Sequence, residues 1–252
     1  MRLAAVALAA TMFLPCAARC AELPPALSAA RAQVTSADYR LSGRLVRVDA
    51  NGDRTSEDIS IKAHWFPGEL RMLLKVSSPR QARIHALIEM RQGGATTIRI
   101  ARPGDKTPHE LPFDQWSTGP LGQGFSYEDF VESYYFWPGQ KDLGAGRFGT
   151  RMCQLLQSTP GAQDRTHYAE VKSWLDATSS FPVYVEKTLK GRRQVKQFTS
   201  YGLRRTEGVW SASQVEVTLQ GQSGSTLLLI EHGTPRAHLA SKDFSSEQLT
   251  RF

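Results

Sequence analysis

The side chains most able to do chemistry are scattered or poorly aimed at one another. Glu128 and Asp129 are adjacent carboxylates. On a helix, neighbouring side chains point about 100° apart, which does not suit a paired acid and base. The six histidines, His64, His85, His109, His167, His232 and His238, include no pair at the four-residue spacing of a helical zinc site. No two cysteines stand at ligand spacing either. Gly119 to Gly124 carries no lysine and follows no strong strand, so it is not a phosphate loop. Gly221-Gln-Ser-Gly224 lacks the last glycine of a nucleophile elbow and runs from strand to strand. The expectation is a protein that is not an enzyme and needs no cofactor or metal.

One stretch is nevertheless distinctive. Between Gly119 and Gln140 the chain is glycine-rich, then acidic, then aromatic. Seven of its 23 aromatic residues fall within thirteen positions: Phe125, Tyr127, Phe130, Tyr134, Tyr135, Phe136 and Trp137. Ser126 can cap a short helix, with Glu128 and Asp129 in the first turn where the helix dipole favours carboxylates. Phe130 and Tyr134 would then share one face, and Pro138-Gly139 would end the helix. Two readings stand: a helix packed on a sheet with its aromatics in the core, or an aromatic plug.

The elements that must carry this stretch are mostly strands. Leu27, Ala30 and Val34 give a short amphipathic helix over 24–34. From Asp38 to Ala101 the period is two. Ile59/Ile61/Ala63/Trp65, Leu70/Met72/Leu74/Val76 and Ile84/Ala86/Ile88/Met90 alternate with mostly polar partners. Asn51-Gly52, Pro67-Gly68 and Gly93-Gly94 punctuate them. Residues 102–121 read as loop. A second series runs through 149–157, 167–175, 182–187, 194–201, 213–219 and 226–231, and 244–249 makes a final helical turn. Ten or eleven strands in one sheet must curl or close. The expected fold is mainly β (α+β): a strongly curved antiparallel sheet, with short helices on its concave face.

Composition adds context. The 252 residues carry 40% apolar and 22% charged side chains and a formal charge of +7, ordinary for a globular chain with a sizeable core. Residues 1–21 combine Arg2, an apolar run too short to span a bilayer and small residues near 18–21, and they read as a cleaved export signal. Pro15 before Cys16 and Arg19 before Cys20 spoil both lipoboxes. Residues 22–252 then form one domain, soluble in the periplasm, with a charge near +5 after loss of Arg2 and Arg19. That surplus has no run of five like charges. It suits transient contact with an anionic membrane surface better than nucleic acid. Cys153 is left as a lone, buried, passive thiol.

Gly124-Phe-Ser-Tyr-Glu-Asp-Phe130, Met152-Cys153 and Tyr168-Ala-Glu-Val-Lys-Ser-Trp-Leu-Asp176 together resemble the periplasmic outer membrane lipoprotein-sorting protein family, from about Asp38 to the C-terminus. The resemblance implies a LolA/LolB-like fold, with the curved sheet forming an incomplete barrel under a helical lid, and an apolar cavity holding lipid or lipoprotein acyl chains. On that footing Trp65, Met72, Leu74, Ile84, Ile88 and Met90 are candidate cavity walls. Phe125, Tyr127, Phe130, Tyr134, Tyr135, Phe136 and Trp137 are the candidate lid. An RND-type inner-membrane exporter is an implied partner. The alternative is a non-enzymatic sensor or interaction module using the same sheet.

Overall fold

The computed structural model describes residues 23–93, 95–119, 124–192 and 194–252. The expected signal, residue 94 of the expected Gly93-Gly94 turn and residues 120–123 of the aromatic stretch's leading edge lie outside them.

Alternation becomes strand where it was expected to. Helix α1 (Pro25–Thr35) buries Leu27, Ala30 and Val34. Strands β1 (Asp38–Val48), β2 (Arg54–Phe66), β3 (Glu69–Ser78), β4 (Ile84–Arg91), β5 (Thr96–Ala101) and β6 (His109–Glu110) then run as an antiparallel meander. A second meander comprises β7 (Gly139–Phe148), β8 (Arg151–Thr159), β9 (Tyr168–Asp176), β10 (Pro182–Leu189) and β11 (Val195–Tyr201). A small separate hairpin follows, β12 (Arg204–Thr206) with β13 (Val209–Ser211), before β14 (Gln214–Leu219) and β15 (Ser225–Pro235).

Among the described residues these form a thirteen-stranded sheet in the order β6-β5-β4-β3-β2-β1-β15-β14-β11-β10-β9-β8-β7. The last long strand therefore returns to pair with the first, Leu45 opposite Leu228. The edges β6 and β7 stand at opposite ends of the order, so the sheet is an open, strongly curved one and not a closed barrel. A sheet this wide accumulates twist and curls.

The topology explains the aromatic stretch. After β6 the chain stands at one edge of the sheet, and its next long strand, β7, is the other edge. The chain must therefore cross between the edges, and residues 111–119 and 124–138 lie over the inner face. There Leu111, Trp116, Tyr127, Val131, Tyr134 and Tyr135 share one buried cluster with α1 and the inward side chains of β1–β5. On the outer face, Leu73, Leu87 and Ala101 pack against Leu239 and against Phe244 and Leu249, the last two from a short turn (Ser241–Phe244) and helix α2 (Ser246–Thr250). Strand β4 is thus covered on both faces, and Ile84 to Ile88 are all buried.

Two local expectations need correction. The expected two-turn helix is instead a pair of 3-10 turns, Tyr127–Phe130 and Ser133–Phe136. Val131 between them is extended (φ −122°, ψ 140°), so Phe130 and Tyr134 do not share one helix. Strand β7 was not expected, because three glycines hide it. Gly146 lies where a methyl group would collide with Leu155 on β8, and Gly144 sits at φ +83° beside the Asp142/Gly144 register shift. Small residues are required there by the neighbouring strand and by the bulge.

Candidate functional site

The inner face is filled over one half of the sheet and open over the other. Over β3–β5 the crossing segment packs directly on the strands. Over β1, β15, β14, β11 and β10 a cavity of about 1030 Å³ remains, at the upper end of the range common for small-molecule sites. Its walls are mainly apolar, including Leu41, Met72, Val185, Phe198, Leu228 and Ile230. Hairpin β12–β13 stands at its rim, where Trp210, Arg204 and Arg236 line the opening.

This division decides where the expected wall residues fall. Met72 lines the cavity. Leu74, Ile84, Ile88 and Met90 point to the same face but lie in the filled half, each 5% exposed or less. Trp65 stacks on Phe136, ring centroids 5.9 Å apart. Alternation identifies the inner face but not which part of it is covered.

Of the crossing aromatics, Phe125, Phe130 and Tyr134 line the cavity. Tyr127, Tyr135 and Trp137 are buried in the core cluster, and Phe136 packs between Trp65 and the guanidinium of Arg31. Gly124, at φ +115°, opens the segment. A side chain there would collide with Thr226 on β15, so the backbone approaches the sheet closely.

The two adjacent carboxylates serve separate anchors. Glu128 accepts hydrogen bonds from the Thr166 hydroxyl (3.2 Å) and the His167 backbone N–H (3.2 Å), and meets His167 Nδ1 at 3.1 Å. That joins the segment to the start of β9. Asp129 points the other way and is fully buried. Its Oδ1 accepts from Lys187 Nζ (2.9 Å) and the Tyr168 hydroxyl (2.6 Å). Its Oδ2 accepts from Lys196 Nζ (2.9 Å), Ser126 Oγ (2.6 Å) and the Ser126 N–H (2.8 Å). Burial alone would raise this carboxyl. The charges of Lys187 and then Lys196, with their hydrogen bonds and that of Ser126, hold it well below the usual carboxylate range.

Lys187 also borders the cavity. Its Nζ lies over the rings of Phe198 (4.5 Å), Tyr168 (5.2 Å) and Tyr134 (5.4 Å). Half-buried Glu132 lines the same wall, and burial pushes its carboxyl up against the pull of Lys187. Sequence reasoning missed Lys187, Lys196 and Glu132 as site residues. The signal for Lys187 was present: it continues the inward parity of Val183 and Val185 on β10. Among the described residues no cluster of His, Cys, Asp or Glu could hold a metal ion.

An open antiparallel sheet with an apolar hollow under a crossing segment is a LolA-like fold. A domain from Vibrio parahaemolyticus designated for outer membrane lipoprotein sorting superposes with a TM-score of 0.79 at 19% identity, over 89% of this chain and 98% of that one. A DUF1329 family protein from Desulfovibrio piger gives 0.78 at 14% identity, over 89% and 97%. A LolA superfamily protein from Nitrosomonas europaea gives 0.64 at 15%, again over 89% and 97%. Among curated proteins no sequence matches significantly. The family model for uncharacterized proteins of the DUF1329 type matches residues 68–251, and the chain belongs to that family.

Proposed function

We propose that this protein is a periplasmic carrier that holds the acyl chains of a lipid or lipoprotein in the inner-face cavity. The observation that carries the reading is the hollow itself: about 1030 Å³ of mainly apolar wall left unfilled between the crossing segment and β1, β10, β11, β14 and β15. An acyl chain is unfavourable in water by roughly 0.8 kcal/mol per methylene, so an enclosed apolar surface suffices for a carrier and no catalytic group is needed. The solved lipoprotein-sorting and LolA superfamily structures support the reading through their shared fold.

The carrier would be exported by the segment over 1–21 and act as one domain from residue 22, touching the membrane surface to load or unload. No helix among the described residues is long and apolar enough to cross a membrane. An RND-type exporter as donor or acceptor rests on the family resemblance alone. The crossing aromatics form the cover. Asp129 and Glu128 pin its first turn to β9, β10 and β11, so movement is assigned to the second, Ser133–Phe136.

Organic extraction of the purified protein followed by mass spectrometry tests the proposal. Co-purified lipid, or saturable uptake of a fluorescent acyl probe, is the expected result. A protein that comes empty and ignores acyl probes would instead be an interaction module using the sheet as its platform.

A further inference from the structure

The opening of the cavity carries charge that nothing among the described residues answers. Met72, Val185 and Phe198 of its walls are buried, whereas Arg204, Val209 and Arg236 line it and are exposed. The hollow therefore meets solvent between hairpin β12–β13 and the end of β15. Arg204 leaves the hairpin towards β15, with a guanidinium nitrogen 4.0 Å from where a side chain on Gly233 would begin. Arg236, just beyond β15, reaches back to lie 3.8 Å from the same point on Gly208 in the hairpin turn. Each guanidinium thus stands beside a glycine, where no side chain shields it.

Neither arginine has an ion pair or a hydrogen-bond acceptor among the described residues. The acids that border the cavity are engaged elsewhere. Glu231 holds Arg44 at 2.7 Å. Asp38 faces His64 and accepts the backbone N–H groups of His238 and Leu239. Asp129 is buried between Lys187 and Lys196, and Glu132 feels the charge of Lys187. Glu207, in the hairpin turn, does not line the cavity and makes no ion pair among the described residues. Arg205 does not line it either, and its Nε donates to the Gly208 carbonyl at 3.3 Å. Unpaired guanidiniums are planar forks that suit phosphate and carboxylate oxygens. Half-buried Trp210 on the same rim, apolar with one N–H donor, suits the boundary between hydrocarbon and a polar group.

An amphiphile whose chains fill an apolar hollow keeps its head at the opening, because burying a charged head without a partner is costly. Resting on the carrier reading, we propose that the cargo is a lipid with an anionic head group, its phosphate taken by Arg204 and Arg236 at the mouth and its acyl chains inside. A zwitterionic head brings a cation that offsets the attraction, and an uncharged head leaves both arginines to water. The groups are exposed, so the preference is modest and weakens with salt.

The test uses the purified, delipidated protein with lysophosphatidylglycerol and lysophosphatidylcholine of equal chain length, each below its micelle concentration, displacing a fluorescent acyl probe. The anionic lipid should displace the probe at a concentration at least about fivefold lower, and the gap should narrow as salt rises. Arg204→Gln/Arg236→Gln, at two exposed positions, should abolish the preference. Arg205→Gln removes the same charge from the same hairpin and should leave it intact. Equal displacement by the two lipids, or a preference that survives the double variant, overturns the proposal and leaves the carrier reading standing. So does a double variant that keeps the preference and loses only its sedimentation with phosphatidylglycerol vesicles, which would assign the arginines to a membrane surface. Uptake of neither probe nor lipid overturns both readings.

Discussion

Asp129 and Lys187 meet at 2.9 Å with both side chains buried, one on the crossing segment and the other on β10. That contact joins the two meanders through the segment between them. It draws on the whole run Ser126-Tyr-Glu-Asp129. Ser126 and Asp129 cap one another, Tyr127 enters the core, and Glu128 and Asp129 reach strands that follow them by about forty to seventy residues.

The first prediction concerns this joint. Asp129→Asn leaves Lys187 and Lys196 facing each other without an anion. Breaking a buried pair from one side costs about 3–5 kcal/mol, and chemical denaturation should show a loss in that range. Lys187→Met should be milder, because Asp129 keeps Lys196, Tyr168 and Ser126. The reverse order would mean that the carboxylate is not the centre of the network.

A second prediction concerns acid stability on the outer face. His85 Nδ1 lies 2.7 Å from the Leu249 carbonyl, and its ring stacks on Phe252 at 4.0 Å. Burial lowers its pKa from 6.5 to about 4, opposed by the Leu249 hydrogen bond and aided by the Lys75 charge. The unfolded chain therefore binds the extra proton first. The stability contribution is full above pH 6.5 and is lost as pH falls from 6.5 to about 4, on the order of 3 kcal/mol. His85→Asn preserves a donor for Leu249 and does not titrate, so its stability should flatten across that window. An unchanged slope would assign the acid sensitivity elsewhere.

Cys153 supplies a third. It is 2% exposed, and burial raises its thiol above the ordinary value. A thiolate is the reactive form. Labelling by a maleimide should be slow in the native protein and fast after denaturation, and Cys153→Ser should cost less than about 2 kcal/mol. Rapid native labelling would mark the thiol as exposed and reactive.

Much of the sheet was legible because apolar side chains repeat at period two, as in Ile84, Ala86, Ile88 and Met90, and that period survives into β4. Strand β7 was not, because Gly139, Gly144 and Gly146 answer to space beside Thr159 and Leu155 and to a bulge. None of that is local information. The hairpin β12–β13 escaped for another reason: its strands are three residues long and mostly exposed, too short for a face to alternate. At the site, the aromatics of the crossing segment were visible by their density. Which half of the inner face they fill depends on the edge-to-edge crossing, which only the strand order reveals. Lys187 was legible as an inward position but not as half of a pair, since its partner lies 58 residues away.

The last prediction separates a moving cover from a fixed wall. The second turn of the crossing segment is held by Phe136 stacked on Trp65 with planes 16° apart, and by Arg31 Nε donating to the Tyr135 carbonyl at 2.7 Å. Swinging this turn while the first stays fixed would also require Tyr134 to leave the Lys187 ammonium (5.4 Å) and its carbonyl to leave Gln140 Nε2 (2.8 Å). A Trp65→Cys/Phe136→Cys pair in a Cys153→Ser background would tie the turn to β2 when oxidised. If loading needs the turn to open, oxidation should leave the protein folded but slow exchange of a fluorescent acyl probe by at least about tenfold, and reduction should restore it. Phe136→Ala alone, which loosens the same contact, should speed exchange. Equal rates in the oxidised, reduced and unmodified proteins would make the turn part of a fixed wall, with ligand entering past the β12–β13 hairpin instead.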